Sequence, residues 1–302
     1  MNAEEMKAMI FDIQRFCLHD GPGIRTTVFF KGCNLRCAWC HNPESFLLKK
    51  QLSYDASKCI MCGQCTKSCP FNVHLFCQGK HYVDFSKCNA CGICVESCIT
   101  DALRIIGKEM TVNEVIKEIE KDRKYYEQSG GGATLSGGEC TLQFKFCLAL
   151  LKELKAINIH TCIETNLMLD NDKLKQLIPF TDLFLADYKL SANELHSKYT
   201  GADNAIIMSN LDMLNSMQCK VVLRCPIIPG INDNIAHFEN VAEIYKKYRC
   251  IEYVEIMPYH STGKCKWSNL GIDYIFDDMQ TAGKNMADEW RKILSNMGVN
   301  VR

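Results

Sequence analysis

The sequence predicts an α/β fold built on a parallel sheet and interrupted by a cysteine-rich insertion. Short β-rich runs, most of them followed by a helical pattern, recur six times along 302 residues, and strands alternating with helices make parallel sheets. The chain is long enough to bury a full core around such a sheet. Between the first two of these strands sit eight cysteines in two matching groups, a density that a hydrophobic core does not require.

The first strand is read at 25–31, RTTVFFK, where β-branched and aromatic residues suit a pleated surface. The others follow at 133–136 (ATLS), 159–164 (IHTCIE), 182–187 (DLFLAD), 220–226 (KVVLRCP) and 251–257 (IEYVEIM). Helices are expected at 111–128, 141–157, 191–199, 205–217 and 234–248. Thr111 ahead of Val112, Val115, Ile116 and Ile119 is a helix start followed by an apolar stripe. Trp290, Ile293, Leu294 and Met297 give a C-terminal helix the same kind of buried face. The insertion divides the chain into 1–45, 46–106 and 107–302.

Lysine plus arginine and aspartate plus glutamate each total 35, so the formal charge is +0. A nucleic-acid binder normally carries a basic surplus, and no such partner is expected. No membrane contact is expected either. No apolar run reaches the ~20 residues of a membrane helix, and the polar start MNAEEMK does not read as a signal peptide. Hydrophobic residues at 47%, with 18 glycines and 7 prolines, exclude a collagen-like or disordered chain. The 20 cysteines fit thiolate chemistry in a reducing cytoplasm better than secreted disulfides, which belong mostly to short exported chains. Nine of them stand singly and read as small buried hydrophobes.

Residues 57–69, SKCIMCGQCTKSC, and 86–98, SKCNACGICVESC, repeat each other. Their C-x₂-C-x₂-C-x₃-C spacing is that of bacterial two-cluster ferredoxins, in which three thiolates of one run and the fourth of the other hold each cube. By that rule Cys59, Cys62 and Cys65 pair with Cys98, and Cys88, Cys91 and Cys94 with Cys69. The first run ends in the customary Pro70 and the second in Ile99; proline donates no ligand. Structural zinc, the alternative, prefers cysteine pairs separated by a longer spacer. Eight ligands on two [4Fe–4S] cubes leave no open iron, so these cubes are expected to carry electrons.

Cys33, Cys37 and Cys40 follow C-x₃-C-x₂-C without a fourth cysteine nearby. Three thiolates on a four-iron cube leave one iron open, as a catalytic metal requires. The competing arrangement brings a fourth ligand from afar, either His41 or a single cysteine.

With Trp39 before its last cysteine, this motif resembles the radical S-adenosylmethionine (SAM) superfamily. Residues 19–45, HDGPGIRTTVFFKGCNLRCAWCHNPES, resemble more narrowly the activating enzymes of glycyl radical enzymes. The likeness continues through SGGE (136–139), HTCIETN (160–166), ADYK (186–189), LRCPIIPGIND (223–233) and MPYHSTGKCKW (257–267). The resemblance implies a partial (β/α)₆ radical SAM barrel with an inserted bacterial-ferredoxin-like segment of two [4Fe–4S] clusters. It also implies that the open iron binds SAM and that one-electron reduction yields a 5′-deoxyadenosyl radical. That radical takes hydrogen from the Cα of a glycine in a partner glycyl radical enzyme of the dehydratase, decarboxylase or lyase kind. The inserted clusters then suggest a relay from flavodoxin or ferredoxin.

Parallel α/β barrels place their sites at the carboxyl ends of the strands, where the remaining candidates fall. The resemblance assigns Gly137 and Gly138 to the methionine amino group; a plain tight turn is the other reading. Glu139 is read as a hydrogen-bond partner of the cofactor or as a solvated loop acid. Trp39 and His41 are assigned to the adenine side, although Trp39 also reads as packing. Asp187, Tyr188 and Lys189 end a strand with two charges that need partners, and SAM offers both signs. Glu164 is read beside a cation near the cofactor's carboxylate. Arg224 suits a carboxylate or ribose clamp. His260 is placed at the ribose or adenine, or is a structural histidine. Asp20 resembles the residue that meets the partner's glycyl loop. Two other functions stay open at this level: radical chemistry on a small molecule, and plain electron transfer.

Overall fold

The computed structural model describes residues 5–302; the first four residues of the polar start lie outside them. Strand β1 (Lys7–Cys17) leads into β2 (Arg25–Phe30). The inserted stretch carries β3 (Gln51–Tyr54), the short helix α1 (Gln64–Ser68), a hairpin of β4 (His74–Cys77) and β5 (Lys80–Val83), α2 (Ile93–Glu96) and β6 (Leu103–Ile106). Strand β7 (Lys108–Thr111) precedes α3 (Val112–Glu120) and α4 (Arg123–Ser129). From there strands and helices alternate: β8 (Gly132–Gly137), α5 (Phe144–Ala156), β9 (His160–Thr165), α6 (Asn171–Leu177) and β10 (Leu183–Asp187). The remainder is α7 (Asn193–Thr200), α8 (Ala205–Ser216), β11 (Val221–Ile227), α9 (Ile235–Lys247), β12 (Ile251–Pro258), α10 (Lys264–Ser268) and α11 (Lys284–Asn296).

Eight strands form one sheet in the order β12-β11-β10-β9-β8-β2-β1-β7. The six from β12 to β2 are parallel neighbours and are the six runs read from the sequence. Strands β1 and β7 add an antiparallel margin that the sequence reading missed. Alternation gives each strand two faces. On the outer face Val28, Leu135, Ile163, Phe184 and Leu223 pack with Ile119 of α3, Leu150 of α5, Leu211 of α8, Val241 of α9 and Leu294 of α11. At the base of the inner face Cys162, Leu183, Leu185 and Val222 cluster with Tyr253, beside the fully buried Arg25, which donates to the Thr134 hydroxyl at 2.6 Å. Toward the carboxyl ends Glu164, Asp187, Arg224 and Glu255 gather at one rim.

The helix expected at 111–128 is two helices. Thr111 starts α3 with a reciprocal cap, its hydroxyl accepting from Glu114 N–H while Glu114 accepts from Thr111 N–H. The run then breaks because Asp122 turns inward and takes hydrogen bonds from Arg15 Nε and the Thr26 hydroxyl, each at 2.9 Å. Thr111→Ala removes half of the cap and is expected to lower stability by about 1 kcal/mol, read as a lower Tm. The helix expected at 141–157 begins only at Phe144, since the Gln143 side chain leaves to bridge the backbone of Met9 and Lys31.

Residues 46–106 hold a small core of their own, with Leu52, Val73 and Leu103 packed beside Cys65 and Cys94. Strands β3 and β6 pair antiparallel at the two ends of this stretch, so the chain leaves and rejoins the larger sheet at one place. No helix among the described residues is long and apolar enough to cross a membrane.

Candidate active site

Beyond β2 the chain turns over the carboxyl edge of the sheet and presents Cys33, Cys37 and Cys40. The loop is held from several sides. At the end of α7, Thr200 O accepts from Arg36 N–H (2.7 Å) and Tyr199 O from Ala38 N–H (2.9 Å). The Trp267 indole donates to Cys40 O (2.9 Å) and the Asn34 amide to Met168 O (2.6 Å). Burial pushes the Cys33 thiol up to about 12, yet Leu35 N–H and Asn42 N–H lie 3.4 Å from the sulfurs of Cys33 and Cys40. Sulfurs withdrawn from water with N–H donors facing them persist as thiolates only beside a compensating positive centre. This donor set fits three corners of a [4Fe–4S] cube.

The three cysteines form one wall of a cavity of about 550 Å³, a size suited to a cofactor. Around it stand Gly137 and Gly138 at the end of β8, Glu164 and Asn166 at the end of β9, and Asp187 and Lys189 at the end of β10. Ile228 follows β11, and Met257 to His260 end β12. Of the cysteines only these three line the cavity. The His41 ring is stacked on His260 at 3.8 Å, with its Nε2 3.1 Å from His260 O. Among the described residues the cavity therefore offers three thiols and no fourth.

Gly137 has φ of +115°, and a Cβ on Gly138 would lie 2.3 Å from Gly32 O. This close approach lets Glu139 N–H donate to Gly32 O (2.8 Å), which clamps the turn after β8 onto the cysteine loop. Gly138→Ala forces the two loops apart and is expected to weaken SAM binding about tenfold, some ~1.4 kcal/mol, measurable as Kd by calorimetry on the reconstituted protein.

Lys189 Nζ pairs with Asp187 at 2.9 Å, the two side chains 14% and 18% exposed. Burial alone would lower this ammonium, but Asp187 and the thiols of Cys37 and Cys33 outweigh it and raise it. Paired in register with Asp187 is Arg224, 3% exposed. It donates to Glu164 Oε1 (2.6 Å), to Glu255 Oε2 (2.7 Å) and to His19 O. The Ser136 hydroxyl donates to the other oxygen of Glu164. Burial works to raise the Glu164 carboxyl, yet Arg224 and Ser136 prevail and hold it below the ordinary range.

Trp39, His41, Gly138, Glu164, Asp187, Lys189 and His260 thus meet at the cavity. Arg224 and Asp20 line an adjoining cavity of about 220 Å³, which shares Gly137, Gly138, Glu164, Asn166 and Asp187 with the first. There the Asp20 carboxylate accepts from the Thr27 hydroxyl and its carbonyl from the Thr134 hydroxyl, both at 2.6 Å. Two assignments are corrected. Tyr188 follows Asp187 by one residue, so alternation sends it to the outer face; it stacks on His237 and its hydroxyl donates to Asn240 Oδ1 (2.5 Å). Glu139 lies fully buried beneath its turn, accepting from Thr141, from the Thr165 hydroxyl and from Asn166 N–H (2.8 Å). It braces loops and does not face the cavity. Asn166 escaped the sequence reading although it stands in HTCIETN. Its amide donates to Asn34 Oδ1 (2.9 Å) and lies 3.9 Å from Cys33 Sγ; a carboxamide just past a strand's carboxyl end was the available signal.

The inserted stretch gathers its eight motif cysteines around two small cavities. Cys59, Cys62, Cys65 and Cys98 line one; Cys69, Cys88, Cys91 and Cys94 line the other. In each set the fourth thiol comes from the other run. His81 enters the first cavity, and burial lowers both it and its neighbour His74, the latter to about 4.

The family model of the radical SAM superfamily matches residues 27–243. A trans-4-hydroxy-L-proline dehydratase activating enzyme of Clostridioides difficile is 38% identical over 300 residues, spanning 98% of this chain and 99% of that protein. A (2S)-3-sulfopropanediol dehydratase activating enzyme of Klebsiella oxytoca is 40% identical over 276 residues, spanning 88% and 86%. A choline trimethylamine-lyase activating enzyme of Oleidesulfovibrio alaskensis is 39% identical over 276 residues, spanning 89% of each. Among solved structures, a radical SAM methyltransferase from Sphaerobacter thermophilus superposes with a TM-score of 0.55 over 97% of this chain and 76% of that one, at 13% identity. That last likeness is one of fold alone. Sequence kinship over nearly the whole length goes further: the chain belongs to the radical SAM superfamily, among the activating enzymes of glycyl radical enzymes.

Proposed function

We propose that the chain binds SAM in the large cavity, cleaves it reductively and directs the 5′-deoxyadenosyl radical at a backbone glycine of a partner glycyl radical enzyme. The observation that carries this reading is three thiols, with no fourth, facing a cavity ringed by both signs of charge. When bound, a [4Fe–4S] cluster on Cys33, Cys37 and Cys40 supplies one electron and an open iron for the amino and carboxylate groups of SAM.

The chain's own residues bind, orient and exclude water. Lys189 and Asp187 offer a cation and an anion to the carboxylate, sulfonium and ribose. The backbone at Gly137 and Gly138 admits the methionine end without a side chain in the way. Trp39, His41 and His260 present flat faces to adenine. Glu164, neutralised on one side by Arg224, is placed for a cation near the methionine carboxylate. Leu35, Ile228 and Met257 keep the reacting carbon dry. Asp20 flanks the adjoining cavity, where the partner's glycyl segment is to enter. Hydrogen abstraction by a carbon radical needs no general base, and none is assigned.

Residues 46–106 are read as a ferredoxin-like unit with two [4Fe–4S] clusters, set between barrel parts 1–45 and 107–302. They would relay electrons from flavodoxin or ferredoxin in a reducing cytoplasm. Cavities with four thiols each support this. Cys62→Ala is expected to slow activation driven by the protein donor; unaltered donor-driven activity would remove the relay.

The test of function is anaerobic incubation of the reconstituted protein with SAM, a reductant and candidate partner glycyl radical enzymes. A glycyl radical signal by paramagnetic resonance, with 5′-deoxyadenosine in matching amount, is expected. Deoxyadenosine formed with a metabolite and no protein radical would transfer the chemistry to a small molecule.

A further inference from the structure

We propose that His81, oriented by His74, makes the two inserted clusters unequal by donating a hydrogen bond that raises the reduction potential of the one on Cys59, Cys62, Cys65 and Cys98. The inference rests on the two-cluster reading of residues 46–106. Both histidines stand on the β4–β5 hairpin between the two cysteine runs. The runs repeat, but this feature does not: the positions 29 residues further on are Leu103 and Met110, which carry no donor.

The ring of His81 is 9% exposed and lies against Phe76 (centroids 4.4 Å, 8°) and Tyr54 (4.4 Å, 57°). Its Nδ1 is 3.5 Å from Cys59 Sγ, and its Nε2 is 3.1 Å from His74 Nδ1 and 3.8 Å from Cys65 Sγ. A metal-bound thiolate accepts hydrogen bonds and cannot donate them. The single proton of a neutral His81 is assigned to Nδ1, the nitrogen with the shorter sulfur contact, which leaves Nε2 facing His74 Nδ1 at 3.1 Å; on either nitrogen the N–H meets a sulfur of the same set, Cys59 or Cys65. Nε2 is then an acceptor, and His74 Nδ1 must donate to it. His74 Nε2 is left without a proton, and that buried atom has no partner, which a bare nitrogen tolerates better than an N–H does. His74 also lines the second cavity. The two bonds thus point one way, from the second cavity to the first.

Only the first cluster receives an N–H from this pair. Reduction places added negative charge on the cube and its sulfurs, and a hydrogen bond to sulfur stabilises that state more than the oxidised one. The donation from His74 strengthens the bond from His81 in turn. An electron entering the segment therefore rests preferentially on the cluster of Cys59, Cys62, Cys65 and Cys98.

The test is a redox titration of the full reconstituted chain with dithionite, followed by paramagnetic resonance, comparing wild type with His81→Phe and His81→Asn. Phenylalanine keeps the packing and loses the N–H; asparagine returns an amide donor at the place of Nδ1. In His81→Phe one inserted cluster is expected to become about tenfold harder to reduce, about 59 mV for one electron, with the other unmoved and with part of the shift recovered in His81→Asn. Both potentials unchanged, or both displaced together, overturn the proposal. If His81→Phe loses its cluster, His74→Leu decides: a smaller shift of the same cluster supports the ordered pair, and no shift overturns it. A wild-type chain that binds only about four irons instead refutes the two-cluster reading itself.

Discussion

Cys37→Ala is expected to abolish reductive cleavage of SAM and to leave the iron of the proposed inserted clusters in place. The sulfur of Cys37 is buried on the wall of the large cavity, and the loop around it is fixed by backbone bonds to α7, so no neighbouring thiol can move in. Two remaining ligands do not hold a cube. Formation of 5′-deoxyadenosine should fall by about 10⁶-fold or more, since even modest enzymatic acceleration is of that order, and roughly eight of twelve irons per chain should remain. Product chromatography and iron analysis check this. Unchanged cleavage would separate the reaction from this loop.

Arg224→Met is expected to produce the largest loss of stability. Arg224 is the one cation between Glu164 and Glu255, with both pairs under 2.8 Å and the guanidinium 3% exposed. Removing a buried partner leaves uncompensated charge, a penalty of about 3–5 kcal/mol. Lysine would not rescue it, because a point ammonium cannot fork to two carboxylates and the His19 carbonyl at once. The pH dependence should also change sign. In the wild type Glu164 is held below its ordinary value, so its contribution is present above the unfolded value and is lost as pH falls through the folded one. Without Arg224, burial raises Glu164, the folded state then binds more protons than the unfolded one, and stability falls as pH rises. Denaturant unfolding at pH 5 and pH 8 should show a smaller deficit at the lower pH. Partner activation should suffer too, because Arg224 anchors the segment that carries Asp20.

The parallel part of the fold is legible in the sequence because each strand is a β-branched or aromatic run, all but the first set between helical stripes, and each lies within a residue or two of its expected place. Strand β1 is not legible: KAMIFDIQRFC lies near the half-open antiparallel margin, where burial does not follow a clean alternation. The break at Asp122 is hidden as well, since its partners Arg15 and Thr26 are about a hundred residues away in sequence. The grouping of the insertion's cysteines is carried by spacing, and the structure brings them into the two sets of four that the spacing implies. Side-chain direction is not read so directly. Asp187 and Lys189 share a face by the period of two, and the same rule excludes Tyr188. Glu139 is a loop acid in the sequence and a buried brace in the fold because Thr165 and Asn166 close over it. The His74–His81 pair arises only when a hairpin folds back on the first cysteine run.

The most direct measurement is the paramagnetic resonance spectrum of the reduced, reconstituted protein before and after addition of SAM. An open iron on the cube of Cys33, Cys37 and Cys40 predicts that one signal of three changes shape as SAM's amino and carboxylate groups bind, while the signals of the inserted segment stay fixed. A spectrum that SAM leaves untouched would mean that a side chain already caps that iron, and would contradict the assignment of this cavity as the site of radical formation.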